Sequence, residues 1–277
     1  MKKKLKILIT GSSGFLGSQI VNTLKKKDNV ELILIVRKKN KDLSKLDNVK
    51  MILTKDLFSE TVSWWKRKTK NIDIIIHSAW YVEPGKFMTS KKNFYCLNGT
   101  LNMALGAAKS GVKKFVGIGT CAEYDTSNGY LDIKTKLNPT IPYSAAKASL
   151  FIALEKLLPM YGVDFCWCRV FYLFGENEDK RRLVPYLRER LSKGKKALLG
   201  SAEGIKDYIN VTKAAELIVK HSLSRKGVGA KNICSGKGIT LRNLAEQIAD
   251  EYNRRDLLVF GARKSNPFDP PVVVGIL

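Results

Sequence analysis

Short apolar segments alternate with segments of helical periodicity along the first part of the chain. The apolar segments are hydrophobic at nearly every position, which is typical of strands covered on both faces of a sheet. They are Leu5–Thr10, Glu31–Val36, Val49–Leu53, Asp73–Ile76, Phe115–Gly119 and Asp164–Val170. The helical segments between them are Phe15–Lys27, Lys91–Ser110 and Tyr143–Tyr161. This alternation predicts an α/β fold built on a doubly wound parallel sheet.

After Val170 the pattern becomes looser, and glycine-rich turns separate shorter helical segments. The predicted helices here are Leu183–Ser192, Thr212–Ser224 and Thr240–Tyr252. No internal repeat and no linker rich in Pro, Gly or Ser divides the chain. We therefore predict a first domain of residues 1–170, to which a segment at about 205–230 returns, and a smaller C-terminal α/β lobe of residues 171–204 and 231–277.

The chain is strongly basic, with 49 Lys and Arg against 25 Asp and Glu in 277 residues and a formal charge of +24. Such a balance raises the question of a nucleic-acid partner. A hydrophobic content of 44% excludes a disordered basic tail. Because no helix-turn-helix signature, zinc-ligand spacing or RNA-binding aromatic strand accompanies the charge, we predict no nucleic-acid partner and a solvated basic surface that attracts small anions.

The cysteines and the hydropathy of the chain bear on the cellular compartment in which the protein is expected. The five cysteines show no disulfide framework, so we predict a reducing, cytoplasmic environment. Cys166 and Cys168 lie on one face of a predicted strand, but the two histidines are far away in sequence, so we predict buried cysteines and no metal site. No apolar stretch reaches the roughly 20 residues that a membrane span needs, and the N-terminus lacks a signal-peptide pattern.

A glycine turn follows the first predicted strand. Gly11, Gly14 and Gly17 are spaced at i, i+3 and i+6 and open a helix, which allows a tight turn and close approach of a pyrophosphate to the helix N-terminus. The residues predicted to bind a dinucleotide here are Gly11, Ser13, Gly14, Phe15, Leu16 and Gly17. A glycine-rich turn without a ligand is the alternative interpretation.

Arg37 stands after the second strand, where a site for NAD usually has an acidic residue for the ribose hydroxyls. A guanidinium suits a 2′-phosphate, so we predict NADP(H) as the cofactor and NAD as the less favoured choice. Asp56 and Leu57, after the third strand, are predicted beside the adenine. The alternative for Arg37 is an ordinary residue of a basic surface.

Tyr143 and Lys147 are the candidate reactive residues. Their i, i+4 spacing places both on one face of a helix, where the ammonium is expected to lower the pKa of the phenol and so favour proton transfer near neutral pH. Thr120 ends the strand upstream, and its hydroxyl can hydrogen-bond the same substrate oxygen.

With these motifs in place, the chain resembles the extended short-chain dehydrogenase/reductase family over nearly its whole length. The resemblance is carried by Gly11, Gly14, Gly17, the segment 77–79 (His-Ser-Ala), Gly99, Thr100, Thr120, Tyr124, Tyr143, Lys147 and the segment 206–211, which has Lys where the family has Arg. The resemblance implies a Rossmann-like fold, the triad Thr120, Tyr143 and Lys147, and a cofactor site that includes Ser78 and Ala79.

Within this family the segments 119–125 and 182–185 are similar to bacterial nucleotide-sugar epimerases and 4-ketoreductases. That similarity implies Arg182 and Lys206 as clamps for a substrate diphosphate. The predicted pocket-wall residues are Trp80, Tyr81 and Glu123, with Glu83 beside them. The chain lacks the acid and base of 4,6-dehydratases, since Cys121 and Ala122 follow the triad threonine, and it lacks the residues of a 3,5-epimerase.

These motifs favour NADPH-dependent reduction of a nucleotide-linked 4-keto-6-deoxyhexose. The first alternative is an NAD-dependent nucleotide-sugar 4-epimerase, and the second is a non-catalytic NADP-binding redox regulator. The family resemblance also implies a homodimer through a four-helix bundle of the segments Lys91–Ser110 and Tyr143–Tyr161. The nucleotide, the sugar and the product stereochemistry stay open, as does the question whether the C-terminus is trimmed or naturally short.

Overall fold

The computed structural model describes residues 4–264 and 269–277, so the parts of the predicted domains at residues 1–3 and 265–268 lie outside the described residues. The strands are β1 (Leu5–Thr10), β2 (Val30–Val36), β3 (Val49–Leu53), β4 (Ile74–His77), β5 (Lys114–Thr120), β6 (Tyr130–Leu131), β7 (Asp164–Val170), β8 (Tyr172–Phe174), β9 (Ala197–Leu198), β10 (Ile205–Asn210), β11 (Gly229–Ile233), β12 (Gly238–Thr240), β13 (Leu258–Val259) and β14 (Val272–Gly275). The helices are α1 (Phe15–Leu24), α2 (Val62–Lys68), α3 (Lys92–Lys109), α4 (Pro142–Leu157), α5 (Leu183–Ser192), α6 (Val211–Leu223) and α7 (Leu241–Asp250).

The central sheet has seven parallel strands in the order β11-β7-β5-β4-β1-β2-β3. Helices α1 and α6 cover one face, and α2, α3 and α4 cover the other, so each face packs against its own apolar core. The predicted doubly wound, Rossmann-like sheet is therefore confirmed. Strand order reverses between β1 and β4, and this switch point opens a crevice at the carboxyl ends of the strands.

Two helix predictions need correction. Helix α4 ends at Leu157, and Pro159 begins a separate 3₁₀ turn, because a proline supplies no N–H to the helical ladder and disfavours its continuation. Helix α2 was not predicted at all. Its one clear sequence signal is the N-cap Thr61, whose hydroxyl accepts the Trp64 N–H.

The smaller lobe is built around β10, which pairs with β12, β14 and β8. Helices α5 and α7 pack on the β9–β13 pair and form a separate apolar core. The segment that returns to the central sheet is α6 and β11, residues 211–233, rather than about 205–230, since β10 stays in the lobe. Strand β6, from within residues 1–170, also joins the lobe sheet through β14.

No helix within residues 4–264 or 269–277 combines the length and apolarity needed to cross a lipid bilayer.

Candidate active site

The carboxyl ends of the central strands and the smaller lobe enclose a cleft of about 1130 Å³. Most of the predicted site residues line it, although they come from distant parts of the chain. They are Gly11, Ser13, Gly14, Phe15, Leu16, Gly17, Arg37, Asp56, Leu57, Ser78, Ala79, Trp80, Tyr81, Thr120, Tyr143, Lys147 and Arg182. Two predicted residues, Glu123 and Lys206, are not among the residues that line this cleft.

The glycine turn between β1 and α1 has the geometry of a dinucleotide site. Gly11 has a φ of +71°, and a Cβ there would lie 2.6 Å from the backbone nitrogen of Ala79. A Cβ on Gly17 would overlap the carbonyl oxygen of Gly11. Helix α1 begins after Gly14, which offers no side-chain cap, so its first N–H groups remain available to a phosphate. These residues fit the pyrophosphate of a dinucleotide cofactor.

Arg37 lies exposed at the rim of the same cleft, directly after β2. Among the described residues, no hydrogen bond or ion pair engages its guanidinium. Asp56 also lines the cleft, and its two carboxylate oxygens accept from Phe58 N–H at 3.0 Å and from the Tyr95 hydroxyl at 2.7 Å. Within residues 4–264 and 269–277, Arg37 is thus a cation without a protein partner, in a cleft that Asp56 also lines.

The predicted triad converges at the base of the cleft. Thr120 ends β5, while Tyr143 lies in the first turn of α4 and Lys147 one turn further along. The Lys147 ammonium donates to the carbonyl oxygen of Ile118 at 2.6 Å and lies 3.8 Å from the centroid of the Trp80 ring. The three polar groups therefore face one volume of the cleft.

Burial dominates the ionisation of the triad. Burial raises the pKa of Tyr143 well above its usual value, and a hydrogen bond from Thr120 opposes that rise. Burial also lowers the pKa of Lys147 to about 7, against the opposing charge of Glu123. The expectation that Lys147 lowers the pKa of Tyr143 is therefore wrong, because desolvation of the phenolate outweighs any effect of the ammonium.

His77 lies beneath the glycine turn, where it links neighbouring elements through hydrogen bonds. Its Nδ1 is 2.8 Å from the Thr10 hydroxyl, and its Nε2 is 3.0 Å from the Thr100 hydroxyl. Thr100 donates onward to the Cys96 carbonyl, and Thr10 accepts the Ala79 N–H. Burial lowers the pKa of His77 to about 3, so the ring is neutral. This network joins β1, β4 and α3 beneath the glycine turn.

Glu123 is not a pocket-wall residue, and this prediction is corrected. It is fully buried and forms an ion pair with Arg169, whose Nε lies 2.7 Å from Oε2. The carboxylate also accepts the Thr120 N–H at 2.8 Å and the Trp167 indole N–H at 3.0 Å. The physical reason is that a buried carboxylate requires a counter-ion and donors, which β5 and β7 supply below the cleft floor.

The prediction that Lys206 binds a substrate diphosphate directly also needs correction. Its buried ammonium donates to the Pro270 carbonyl and forms a 3.3 Å ion pair with Asp269, so its protein partners already satisfy it. Arg182, by contrast, lines the cleft and is half exposed, 3.7 Å from Glu178.

The cleft lining also includes polar residues that the sequence did not predict, among them Arg181, Tyr172 and Asp269. The Arg181 guanidinium donates two hydrogen bonds to the Asp179 carboxylate, at 2.9 and 2.7 Å. Its position beside Arg182 in the chain is the signal that could have found it. Nothing in the local sequence marks Tyr172 or Asp269, which meet through a 3.1 Å hydrogen bond from Tyr172 to Asp269. Among the described residues, no group of three or more His, Cys, Asp or Glu side chains could hold a metal ion.

Two relatives show similar sequences over most of the chain. The dTDP-6-deoxy-L-talose 4-dehydrogenase (NAD(+)) of Aggregatibacter actinomycetemcomitans is 23% identical over 278 residues, covering 98% of this chain and 99% of the relative. The GDP-6-deoxy-D-talose 4-dehydrogenase of the same organism is 25% identical over 256 residues, covering 89% of this chain and 80% of the relative.

The fold has solved counterparts. The UDP-N-acetylglucosamine 4-epimerase from Methanobrevibacter ruminantium M1, in complex with UDP-N-acetylmuramic acid, superposes with a TM-score of 0.86 at 23% identity, covering 99% of this chain and 90% of that one. The model of the family described as NAD dependent epimerase/dehydratase matches residues 7–233, which include the glycine turn, the triad and all of the central sheet except the first two residues of β1. The chain belongs to the NAD dependent epimerase/dehydratase family.

Proposed function

We propose that the protein is an NADPH-dependent reductase that acts at C4 of a nucleotide-linked 4-keto-6-deoxyhexose. The observation that carries this proposal is the meeting of Thr120, Tyr143 and Lys147 in one cleft with the glycine turn. The two 4-dehydrogenase relatives support it, since their names place redox chemistry at C4 of a 6-deoxy sugar nucleotide. Arg37 supports NADPH, because an exposed guanidinium beside the adenosine end suits a 2′-phosphate.

The chain's own groups supply the acid and the oxyanion support. When bound, a reduced nicotinamide dinucleotide supplies the hydride that adds to the carbonyl carbon. Tyr143 gives its phenolic proton to the carbonyl oxygen, and its raised pKa keeps that proton in place at neutral pH. The Thr120 hydroxyl hydrogen-bonds the developing oxyanion, and the Lys147 ammonium adds a positive charge. One hydride and one proton convert the ketone to an alcohol.

The smaller lobe holds the nucleotide end of the substrate in this proposal. Arg182 and Arg181 lie at the cleft and present cationic groups suited to a diphosphate. Lys206 acts indirectly, because its ammonium fixes Asp269 and the Pro270 carbonyl at the cleft wall. The exposed apolar side chains Phe94 on α3 and Ile152 on α4 are suited to the homodimer contact that the resemblance implies.

Replacement of the proposed acid tests the reaction. Tyr143→Phe should lower kcat by at least about a hundredfold, because general acid catalysis contributes roughly 10²–10⁴-fold. NADPH binding, followed by fluorescence titration, should stay close to that of the unmodified protein. The assay measures NADPH oxidation with dTDP-, GDP- and UDP-linked 4-keto-6-deoxyhexoses. Full activity in the Phe variant would rule out Tyr143 as the acid.

A 4-epimerase is the second candidate, because oxidation and re-reduction at C4 need the same acid–base group and the same dinucleotide turn. The 4-epimerase named above has the same fold. The two functions differ in cofactor turnover. Purified protein that retains bound NAD and interconverts sugar epimers without net use of NADPH would support the epimerase over the reductase.

A further inference from the structure

Asn93 lies at the start of α3 and is fully buried. Both N–H groups and the oxygen of its side-chain amide form hydrogen bonds. Its Oδ1 accepts the Trp80 indole N–H at 2.9 Å. Its Nδ2 donates to the carbonyl oxygens of Phe87 at 2.6 Å and Ser90 at 2.9 Å. One amide orientation satisfies these three bonds together. Asn93 therefore connects the segment after β4 with the loop that precedes α3.

The first of these connections ends at Lys147. The Trp80 ring, whose orientation Asn93 fixes, lies 3.8 Å from the Lys147 ammonium. The ammonium's hydrogen-bond partner is the Ile118 carbonyl oxygen at 2.6 Å. An indole face attracts a desolvated cation, so Trp80 supplies the second contact that determines where the buried ammonium lies.

The second connection ends at Tyr143. The Phe87 ring meets the Tyr143 ring edge-to-face, with centroids 4.9 Å apart and an interplanar angle of 89°. Phe87 belongs to a short 3₁₀ turn, and its carbonyl oxygen accepts a hydrogen bond from the Asn93 amide. Edge-to-face packing restrains the rotation of the phenol ring. The Asn93 amide is thus linked to Lys147 through Trp80 and to Tyr143 through Phe87.

We propose that Asn93 and Trp80 are positioning residues for the reaction, and that they fix the Lys147 ammonium while Asn93 also restrains Tyr143 through Phe87. This inference rests on the proposed function in assigning the chemistry to Tyr143 and Lys147. Lys147 is buried and Tyr143 is half-buried at the cleft, and small displacements of reacting groups reduce rates strongly. Neither Asn93 nor Trp80 transfers a proton.

Two substitutions distinguish the contact of Asn93 with Trp80 from its contacts with Phe87 and Ser90. Trp80→Phe keeps an aromatic face for the ammonium but removes the indole N–H that Asn93 accepts, together with the five-membered ring. Asn93→Ala removes the bonds to Trp80, Phe87 and Ser90 together. We expect kcat to fall about tenfold in Trp80→Phe and roughly 10- to 100-fold in Asn93→Ala, with little change in the KM of the nucleotide sugar. Because the two residues act in series, Asn93→Ala should cost less kcat in the Trp80→Phe background.

Matched controls exclude a general loss of packing. Trp65→Phe alters a fully buried indole between α2 and α3, and Asn98→Ala alters an exposed amide on α3; both should retain kcat. Equal fold-losses from Asn93→Ala in the two backgrounds, or an effect confined to KM, would overturn the proposal.

A second readout needs no substrate. In protein labelled with 5-fluorotryptophan, the Trp80 fluorine resonance is identified by its loss in Trp80→Phe. It should shift in Asn93→Ala and in Lys147→Met, whereas the Trp64 and Trp65 resonances stay. A Trp80 resonance unmoved in both variants contradicts the contact. If no ketosugar is reduced but the shifts occur, the proposed reaction fails while the positioning contacts stand.

Discussion

At the scale of single residues, burial rather than charge pairing sets the chemistry of the cleft. Tyr143 keeps its proton because phenolate would be desolvated, and Lys147 gives up its proton more easily for the same reason. His77, though it bears a titratable ring, is neutral and structural. A sequence motif identifies which residues meet, but the direction of each pKa shift depends on how completely the fold excludes water.

The first prediction concerns pH. The pKa of Lys147 is lowered to about 7, so the ammonium is present below pH 7 and is lost as the pH rises through that value. Since kcat/KM reports the free enzyme, kcat/KM should fall above about pH 7. A pH profile of Lys147→Met should be lower throughout and lack this descending limb. An unchanged limb in that variant would assign it to another group.

The second prediction concerns the cofactor. Arg37→Ala should weaken NADPH binding roughly 10- to 100-fold, because a charged hydrogen bond contributes about 1.5–3 kcal/mol, and NADH binding should change little. Fluorescence titration of both cofactors measures the ratio. Lys38→Ala is the matched control, since Lys38 is the next exposed cation and lies outside the cleft lining. Equal weakening for NADPH and NADH would argue against a 2′-phosphate contact.

At the scale of elements, α3 and α4 serve two purposes. Leu150 and Leu154 on α4, and Leu158 directly after it, are fully buried in the core of the protomer. Ile152 points away from that core and is 52% exposed. The helices therefore use one face to cover the central sheet and leave a second apolar face uncovered within the protomer.

The third prediction follows from that uncovered face. Ile152→Lys should convert the proposed homodimer to monomers, because a charge at the centre of an apolar interface is costly to desolvate. Sedimentation or light scattering measures the mass. Met160→Lys, 80% exposed in the turn beyond α4, is the control and should remain dimeric. A monomeric unmodified protein would refute the dimer itself.

At the scale of the whole molecule, one buried network ties the central sheet to the smaller lobe. Arg169 on β7 binds Glu123 and donates to the Tyr124 hydroxyl at 3.2 Å. Tyr124 donates to Asn232 on β11, whose amide reaches the carbonyl oxygens of Leu131 and Ile276. The network thus connects β5, β7 and β11 with β6 and the end of the chain, directly beneath Thr120.

The fourth prediction tests this network. Arg169→Met should destabilise the protein by about 3–5 kcal/mol, because it leaves the Glu123 carboxylate buried without a counter-ion. The double substitution Glu123→Leu with Arg169→Met should restore a large part of that loss. Urea unfolding followed by circular dichroism measures both. A double variant as unstable as Arg169→Met would show that the buried charge is not the cause.

Local sequence patterns were enough to predict the doubly wound central sheet and to identify Tyr143 and Lys147 as candidate reactive residues. The sheet follows from strand and helix periods, and the glycines at i, i+3 and i+6 with a Tyr–Lys pair one turn apart on a helix carry the family resemblance that implies the triad. Arg37, too, is placed by its distance after β2 alone. These features depend on neighbours within a few residues, which is why they could be predicted.

The packing of the folded chain sets which polar side chains face the cleft and which support it from below. Glu123 and Lys206 look like surface or pocket residues in the sequence, but they pair with Arg169 and Asp269, 46 and 63 residues further along the chain, and neither lines the cleft. Asn93, Trp80 and Phe87 meet Lys147 and Tyr143 only after α3 and α4 pack on the same face of the sheet. Burial and long-range pairing are properties of the packed molecule, and no local pattern encodes them.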